Sequence, residues 1–151
     1  MKPFQLQRRQ WLPHSRETVF AFFENAENLQ AITPPELQFK IKTRAPIEMK
    51  SGTRIDYTIK LNGIPMKWKT EIIEYNPPSS FIDLQIKGPY KLWHHKHIFE
   101  EINGGTMMHD IVDYLPPGLW LGSLANALFI KNKLKSIFDF RAGSILEALK
   151  S

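Results

Sequence analysis

Three histidines close together in the second half of the chain are the side chains best suited to chemistry. His94, His95 and His97 lie in a segment whose residues alternate in character. In a β-strand successive side chains point to opposite faces, so only His95 and His97 can share one. Imidazoles titrate near neutral pH, and two on one face could exchange protons with a substrate or bind a metal.

Metal binding and acid–base catalysis place different demands on these histidines. A zinc centre takes at least three protein ligands, and the third candidate is Asp110 on the following segment. The sequence contains no cysteine, which excludes thiolate zinc sites, disulfides and cysteine nucleophiles. We therefore predict no metal and no cofactor, and we assign no catalytic residue. Acid–base chemistry by His95, His97 and Asp110 stays open beside a polar patch that orients a ligand.

A turn at Asn103-Gly104 would pair the two strands that carry these residues. A two-residue loop there sets His97 opposite Asp110. If their face is inward, the buried carboxylate needs a partner, and the His97 imidazole is predicted to be the nearest one. Burial and a neighbouring carboxylate shift the pKa of His97 in opposite directions, so the net direction stays open.

The face that contains His97 is the more aromatic face of this strand pair, and we predict that it is inward. A three-residue loop would reverse the match, which stays an alternative. The predicted inward residues are Trp93, His95, His97, Phe99, Met108, Asp110, Val112 and Tyr114.

A second hairpin is predicted around Asn62-Gly63, the strongest short-range turn signal in the chain. A two-residue turn pairs residues 55–61 with 64–70. Tyr57 then lies opposite Trp68 on an apolar face that also holds Met66. The other face pairs residues of opposite charge, such as Asp56 with Lys69. Because one register sorts apolar from charged residues, the apolar face is predicted to be inward.

The strand predicted at Phe81–Lys87 gives two conflicting signals. Alternation alone sends the aliphatic residues Ile82, Leu84 and Ile86 inward and leaves Phe81, Asp83 and Gln85 outside. A bulge near Gly88-Pro89 could reverse this assignment. The orientation of Asp83 and Gln85 is therefore left open at this point.

A long helix is predicted to position these strands. Residues 3–11 form a strand, Ser15 caps a helix, a short helical turn follows at 27–29, and strands run from Leu37 to Leu115. Helical spacing then extends from about Leu119 to Leu149. A helix of thirty residues is about 45 Å long and must cover something large. We therefore predict an α+β fold with this helix across an antiparallel sheet. Its predicted apolar stripe is Leu121, Leu124, Ala125, Leu128, Leu134, Phe138, Ala142, Ile145 and Leu149.

Composition bounds the partners and the location. The 151 residues suit one domain, and 42% hydrophobic with 23% charged residues are typical of a globular protein. The basic residues behind the net charge of +5 are interleaved with acids, so we predict no nucleic-acid partner. Weak membrane-surface contact through Lys131, Lys133, Lys135 and Arg141 is a lesser alternative to a solvated helix face. Without a signal-like N-terminus or a long apolar run, a cytoplasmic protein is predicted. The oligomeric state stays open.

Three segments resemble a known superfamily: SRETVFAFFENAENLQAITPP at 15–35, YNPPSSF at 75–81 and GPYKLWHHKHIFEEINGGTMMHDIVDY at 88–114. Together with the final helix, they are similar to the START-like, or SRPBCC, proteins, and most of all to their bacterial ligand-binding branch. The resemblance implies a single helix-grip domain over residues 1–151, in which a bent antiparallel sheet wraps the long C-terminal helix and two short helices follow the first strand. The glycine-rich loop of the plant Bet v 1 branch is missing, since residues 44–50 read RAPIEMK.

The resemblance also implies a cavity between the sheet and the helix. Members of that superfamily carry lipids, sterols and polyketides, and some catalyse cyclisation or dehydration. We therefore predict binding of an apolar lipid-like, isoprenoid or aromatic molecule. A cyclase, aromatase or dehydratase is the alternative, and a membrane- or protein-interaction module is a second one. The Phe-x-Asp-x-Gln pattern that the resemblance emphasises adds two residues to the site. The predicted ligand-binding residues are Tyr57, Met66, Trp68, Asp83, Gln85, Trp93, His95, His97, Asp110 and Tyr114.

Overall fold

Seven strands form one antiparallel sheet with a long helix packed on one face. The computed structural model describes residues 2–61, 63–116 and 124–150, with side chains from residue 128 onward in the last range. The elements are β1 (Phe4–Leu12), α1 (Arg16–Glu24), α2 (Asn28–Ala31), a single 3-10 turn (Pro35–Leu37), β2 (Lys40–Ile41), β3 (Arg54–Leu61), β4 (Ile64–Asn76), β5 (Ser80–Lys87), β6 (Leu92–Ile102), β7 (Gly105–Leu115) and α3 (Leu124–Ala148). The strand order in the sheet is β1-β7-β6-β5-β4-β3-β2.

The two short helices follow β1 as predicted. The Ser15 hydroxyl accepts a hydrogen bond from the Thr18 backbone N–H, and the acidic Glu17 lies in the first turn of α1. Val19 and Phe20 are buried on the inner side of this helix. The sequence analysis did not predict the 3-10 turn or the short strand β2 that follow α2.

The hairpin of β3 and β4 has the predicted register. Tyr57 lies opposite Trp68, and Asp56 lies opposite Lys69 on the other face. The exposed ion pair between Lys69 and Asp56 is 3.8 Å long. Such pairs contribute little free energy, so the burial of the apolar face determines the register.

The hairpin of β6 and β7 closes through a two-residue loop. Asn103 and Gly104 have positive φ angles of 52° and 75°, as a type I′ turn requires. His97 lies directly opposite Asp110. Along this predicted inner face every residue except the half-buried Trp93 is buried, which confirms its orientation and excludes the three-residue loop.

Strand β5 has one of the two orientations that the sequence left open. Phe81 pairs with His97 and Asp83 with His95, so both belong to the inner face, whereas Ile86 is 43% exposed. The register shifts at two places. Ile86 of β5, close to Gly88-Pro89, is the extra residue between the pairs Lys69–Lys87 and Thr70–Gln85, and Ile73 of β4 is the extra residue between the pairs Ile72–Asp83 and Glu74–Ile82. The extra residue Ile86 changes the alternation of β5, so that Gln85 lies opposite the buried Thr70 and Asp83 opposite the buried Ile72. The alternative in which a bulge near Gly88-Pro89 re-aims the strand therefore describes Asp83, although Ile82 is also buried, with 7% exposed.

Helix α3 covers the inner face. Ile145 and Leu149 join a cluster with Leu12, Phe20 and Phe99. Nearer the start of the helix, Ile130, Leu134 and Phe138 pack with Val112 and Tyr114. Two apolar clusters along one helix face therefore fix α3 across the sheet.

One residue of the predicted helical stripe is wrong. Leu128 is 56% exposed and Ile130 is buried. Ile130 precedes Leu134 by four residues, whereas six residues at about 100° each place Leu128 on another side of the helix. The side chains of Leu121, Leu124 and Ala125, and the predicted helix start at residue 119, lie outside the described residues. Among the helices that are described, none combines the length and hydropathy that a membrane span requires.

The inner face gives a direct test of the core. Phe99 is 1% exposed and its ring centroid lies 5.2 Å from that of Phe20. We expect Phe99→Ala to lower the free energy of unfolding by about 3–5 kcal/mol, because it leaves a cavity. The matched control is Phe140→Ala on the outside of α3, where Phe140 is 39% exposed; a change below about 1 kcal/mol is expected there. Urea denaturation measures both, and equal effects would contradict the assigned inner face.

Candidate functional site

A cavity of about 160 Å³ lies between α3 and the inner face of the sheet. Its wall is mostly aromatic and aliphatic. The exposed Asn25, at the end of α1, is also part of the wall, so the cavity reaches the surface beside the short helices. Its aromatic side chains include Phe22, Phe39, Tyr57, Trp68, Trp93 and Phe138.

The aromatic side chains of the wall support one another. The rings of Tyr57 and Trp68, which face each other across the β3–β4 hairpin, are stacked with centroids 5.7 Å apart. Trp93 meets Trp68 edge-on at 5.6 Å, and Phe39 lies 4.6 Å from Tyr57. Contacts of this kind add stability beyond buried area and hold each ring in place.

Two histidines and two aspartates form the polar part of the site. The rings of His95 and His97 are stacked with centroids 3.7 Å apart. Nε2 of His97 lies 2.6 Å from Oδ2 of Asp83, and Nε2 of His95 lies 2.7 Å from Oδ1 of Asp110. Ionised carboxylates only accept hydrogen bonds, so each Nε2 carries the proton and donates it. We call these four residues the His–Asp cluster.

Each histidine also lies near the aspartate to which it is not hydrogen-bonded. Nδ1 of His95 lies 3.8 Å from Asp83, and Nδ1 of His97 lies 3.7 Å from Asp110. The two stacked rings are therefore held between a carboxylate from β5 and a carboxylate from β7. A proton added to either ring would find a negative charge at both of its edges.

This geometry corrects the predicted partner of Asp110. His97 lies opposite Asp110 in register, yet its 3.7 Å contact is too long for a hydrogen bond. The partner of Asp110 is the diagonal neighbour His95, because the ring of His97 turns to Asp83 on β5. The pairing predicted from the sequence placed only β7 beside His97, so the hydrogen bond from His97 to Asp83 on β5 was not predicted.

Burial and mutual contacts set the protonation of the cluster. Burial alone would raise the pKa of Asp83 and of Asp110, but the hydrogen bond from its histidine and the nearby positive charges, including that of Arg141, lower each below 3.8. For His97, burial and the charge of His95 lower the pKa below 6.5, against the opposing effect of Asp83. At neutral pH both carboxylates are ionised and His97 resists protonation.

The cluster contains a set of possible metal ligands. One donor atom each from Asp83, His95 and His97 lies within 4.8 Å of the others. Zinc requires donor lone pairs that converge on one point at about 2.0–2.1 Å. Stacked rings point their lone pairs nearly parallel, and the Nε2 of His97 already donates to Asp83. The arrangement therefore favours a hydrogen-bonded network over a metal centre.

Six of the predicted ligand-binding residues lie in the cavity wall and four lie elsewhere. Met66 packs beside the cluster of Phe39, Ile59 and Trp68, outside the wall. Asp110 lies behind His95 and orients it. The six in the wall are Tyr57, Trp68, Asp83, Trp93, His95 and His97.

Gln85 and Tyr114 have structural contacts instead. The Gln85 side chain donates to the Tyr90 carbonyl oxygen at 2.6 Å and accepts from the Tyr90 N–H at 3.1 Å, which fixes the turn between β5 and β6. The ring of Tyr114 stacks on Phe4 at 5.6 Å and packs with Phe138 of α3. Neither residue reaches the cavity wall.

Arg141 is the main residue that the sequence analysis misplaced. It was assigned to a basic helix face, but the structure places it half-buried in the cavity wall. Its guanidinium carbon lies 4.9 Å from the ring centroid of Phe138. The signal was available, since Arg141 follows the predicted inward residues Leu134 and Phe138 by seven and three positions.

Comparison with known proteins places this geometry in a fold. No family model matches the sequence, and no curated protein matches it. Protein Ms6760 from Mycobacterium smegmatis superposes with a TM-score of 0.72 at 15% identity, covering 96% of this chain and 90% of that one. TTHA0849 from Thermus thermophilus gives a TM-score of 0.68 at 16% identity, covering 97% and 100%. Ginseng major latex-like protein 151 from Panax ginseng gives 0.71 at 13% identity and covers 100% of both chains. The chain therefore shares the fold of these proteins and has the predicted helix-grip architecture, a long C-terminal helix packed against an antiparallel sheet.

The cluster generates a prediction for histidine titration. Asp83→Asn should lower the pKa of His97 further, because it removes both the charge and the acceptor that favour its imidazolium form. Asp110→Asn should lower it less, because Asp110 acts on His97 through charge alone. NMR titration of the imidazole protons measures both changes. A larger effect of Asp110→Asn would show that His97 interacts mainly with Asp110, as the sequence predicts.

The predicted absence of metal can be measured directly. Parallel lone pairs should bind zinc weakly, so we expect well under one equivalent of zinc per chain after dialysis. Elemental analysis of the purified protein decides this. Stoichiometric zinc that disappears in His95→Gln, and is retained in the matched variant of the more exposed His109, would show that the rings rearrange to bind metal.

Proposed function

We propose that this protein binds an apolar small molecule, lipid-like, isoprenoid or aromatic, in the cavity between the sheet and α3. The observation that carries the proposal is the composition of the wall. Aromatic and aliphatic side chains dominate it, and the His–Asp cluster and Arg141 supply a few charged groups. Mostly apolar walls with a small number of placed polar groups are typical of small-molecule sites.

The volume favours a compact ligand. An engineered apolar cavity of about 150 Å³ binds benzene, and the cavity here measures about 160 Å³. One substituted ring or a short isoprenoid is of suitable size. A long acyl chain would need the cavity to extend through the opening beside Asn25.

The resemblance to carriers of lipids, sterols and polyketides agrees with this proposal. In the helix-grip fold a long helix packs against a sheet, and side chains either fill the space between them or leave a cavity. Here the bulky side chains line the cavity and leave it unfilled, which favours carriage of a ligand over a purely structural role.

Acid–base catalysis is the second candidate, because three members of the His–Asp cluster lie in the wall of the same cavity. Asp83, His95 and His97 could move a proton to or from a bound molecule, as a cyclase, aromatase or dehydratase requires. The two candidates predict different things about a ligand that copurifies with the protein. An enzyme would release different molecules from the wild type and from His97→Gln, whereas a carrier would release the same one. Native mass spectrometry before and after denaturation makes this comparison.

The binding proposal predicts unequal roles for two tryptophans. Trp68 is 7% exposed and lies in the wall, whereas Trp11 is 41% exposed on β1. Trp68→Ala should weaken the binding of an apolar probe such as p-cymene, because it removes contact surface from the site. Trp11→Ala, the matched control, should leave binding unchanged. Calorimetric titration measures both, and equal affinities in the two variants would remove the cavity as the binding site.

A further inference from the structure

Two buried hydrogen-bond donors in the cavity wall have no acceptor. Nε of Arg141 and Nε1 of Trp68 are both buried without a hydrogen-bond partner within the described part of the chain. Both residues lie in the wall, and Trp68 is 7% exposed. Buried donors are almost always paired, and leaving one unpaired costs free energy. These two donors therefore lack an acceptor within hydrogen-bond distance among the described residues.

An acceptor with spare capacity lies in the same wall. The side chain of Asp83 is 18% exposed and takes a hydrogen bond from His97. A carboxylate can accept several hydrogen bonds, so lone pairs of Asp83 are left for another donor. The positive charge of Arg141 acts on Asp83 and on the phenol of Tyr57, yet among the described residues Arg141 forms no direct ion pair. A guanidinium donor and a carboxylate acceptor thus share one end of the cavity without touching.

Charge decides which group fits between them. Asp83 and Asp110 contribute two negative charges and Arg141 one positive charge, which sums to −1 with both imidazoles neutral and to zero with one imidazolium. An anionic ligand would add to a site that is already negative or neutral. A protonated amine could donate to Asp83 but would leave Arg141 without an acceptor. A hydroxyl group both donates and accepts.

We propose that the bound molecule carries an alcoholic or phenolic hydroxyl, which donates its hydrogen to Asp83 and accepts a hydrogen bond from Arg141. This inference rests on the proposed function and names the ligand class, a compact apolar alcohol or phenol. The apolar body lies along Trp68, Trp93 and Tyr57, and the hydroxyl lies at the end formed by Asp83 and Arg141.

Three matched probes test the hydroxyl. Thymol is a one-ring phenol of suitable size, thymol methyl ether can accept but cannot donate, and p-cymene can do neither. A hydrogen bond to a charged group is favourable enough that we expect thymol to bind about tenfold more tightly than p-cymene, with the ether in between. Isothermal titration calorimetry measures the three affinities at pH 7.

Variants connect that preference to the two residues. Arg141→Met should reduce the ratio of the thymol and p-cymene affinities to about threefold or less, because one of two hydrogen bonds is lost. Asp83→Asn should reduce it as well, since a neutral amide is a weaker acceptor than a carboxylate. The control is Lys131→Met, an exposed cation of the same helix, which should keep the full ratio. Unchanged p-cymene binding shows that the cavity of each variant is intact. Where Arg141→Met loses p-cymene binding too, Arg141→Lys keeps a charged donor and should retain part of the preference.

The outcomes separate this inference from the proposed function. Equal binding of thymol and p-cymene, or a preference that survives Arg141→Met, would overturn the hydroxyl site and leave the apolar cavity standing. Tightest binding of cuminate or cuminylamine would replace the hydroxyl with an anion or a cation. Absence of binding by all five probes would overturn the proposed function, and the hydroxyl site with it.

Discussion

Two ionised carboxylates buried on the inner face of the sheet are the constraint on which the site depends. Asp110 is 3% exposed, and an isolated charge at such a depth is very costly. A hydrogen bond compensates part of this cost, because the β6–β7 register brings His95 within 2.7 Å. The register of β5 against β6 does the same for Asp83 and His97. A shift of one residue in either pairing would move an aspartate away from its imidazole.

The sequence was sufficient wherever a turn fixed the register. Both hairpins were predicted because Asn62-Gly63 and Asn103-Gly104 specify two-residue turns, and counting outward then places every pair. Strand β5 could not be placed in that way. Its inner residues Phe81 and Asp83 are set by the pairing with β6 and by one extra residue each in β5 and β4, and strict alternation contains neither effect.

Contacts between elements distant in the chain were the other limit. Strand pairing identifies only the residue directly opposite, whereas side chains also contact diagonal neighbours and residues of the strand on the other side. The exchange of partners between His95 and His97 follows from this, as both rings lie between two strands and stack on each other. Nothing in the sequence alone ranks those four contacts, because the ranking depends on ring orientations within the assembled sheet.

Helix α3 does more than cover the sheet. A helix packed over the His–Asp cluster removes water from the carboxylates and so raises the cost of their charge. The same helix supplies a compensating positive charge, that of Arg141. Arg141 lies about one turn beyond Phe138, and Phe138 packs with Val112 and Tyr114 of the sheet. The positive charge of Arg141 lowers the pKa of both aspartates. The position of the helix and the ionisation of the site are therefore coupled. Since the guanidinium belongs to the helix and the Asp83 carboxylate to the sheet, a group bound between them would link the two layers directly.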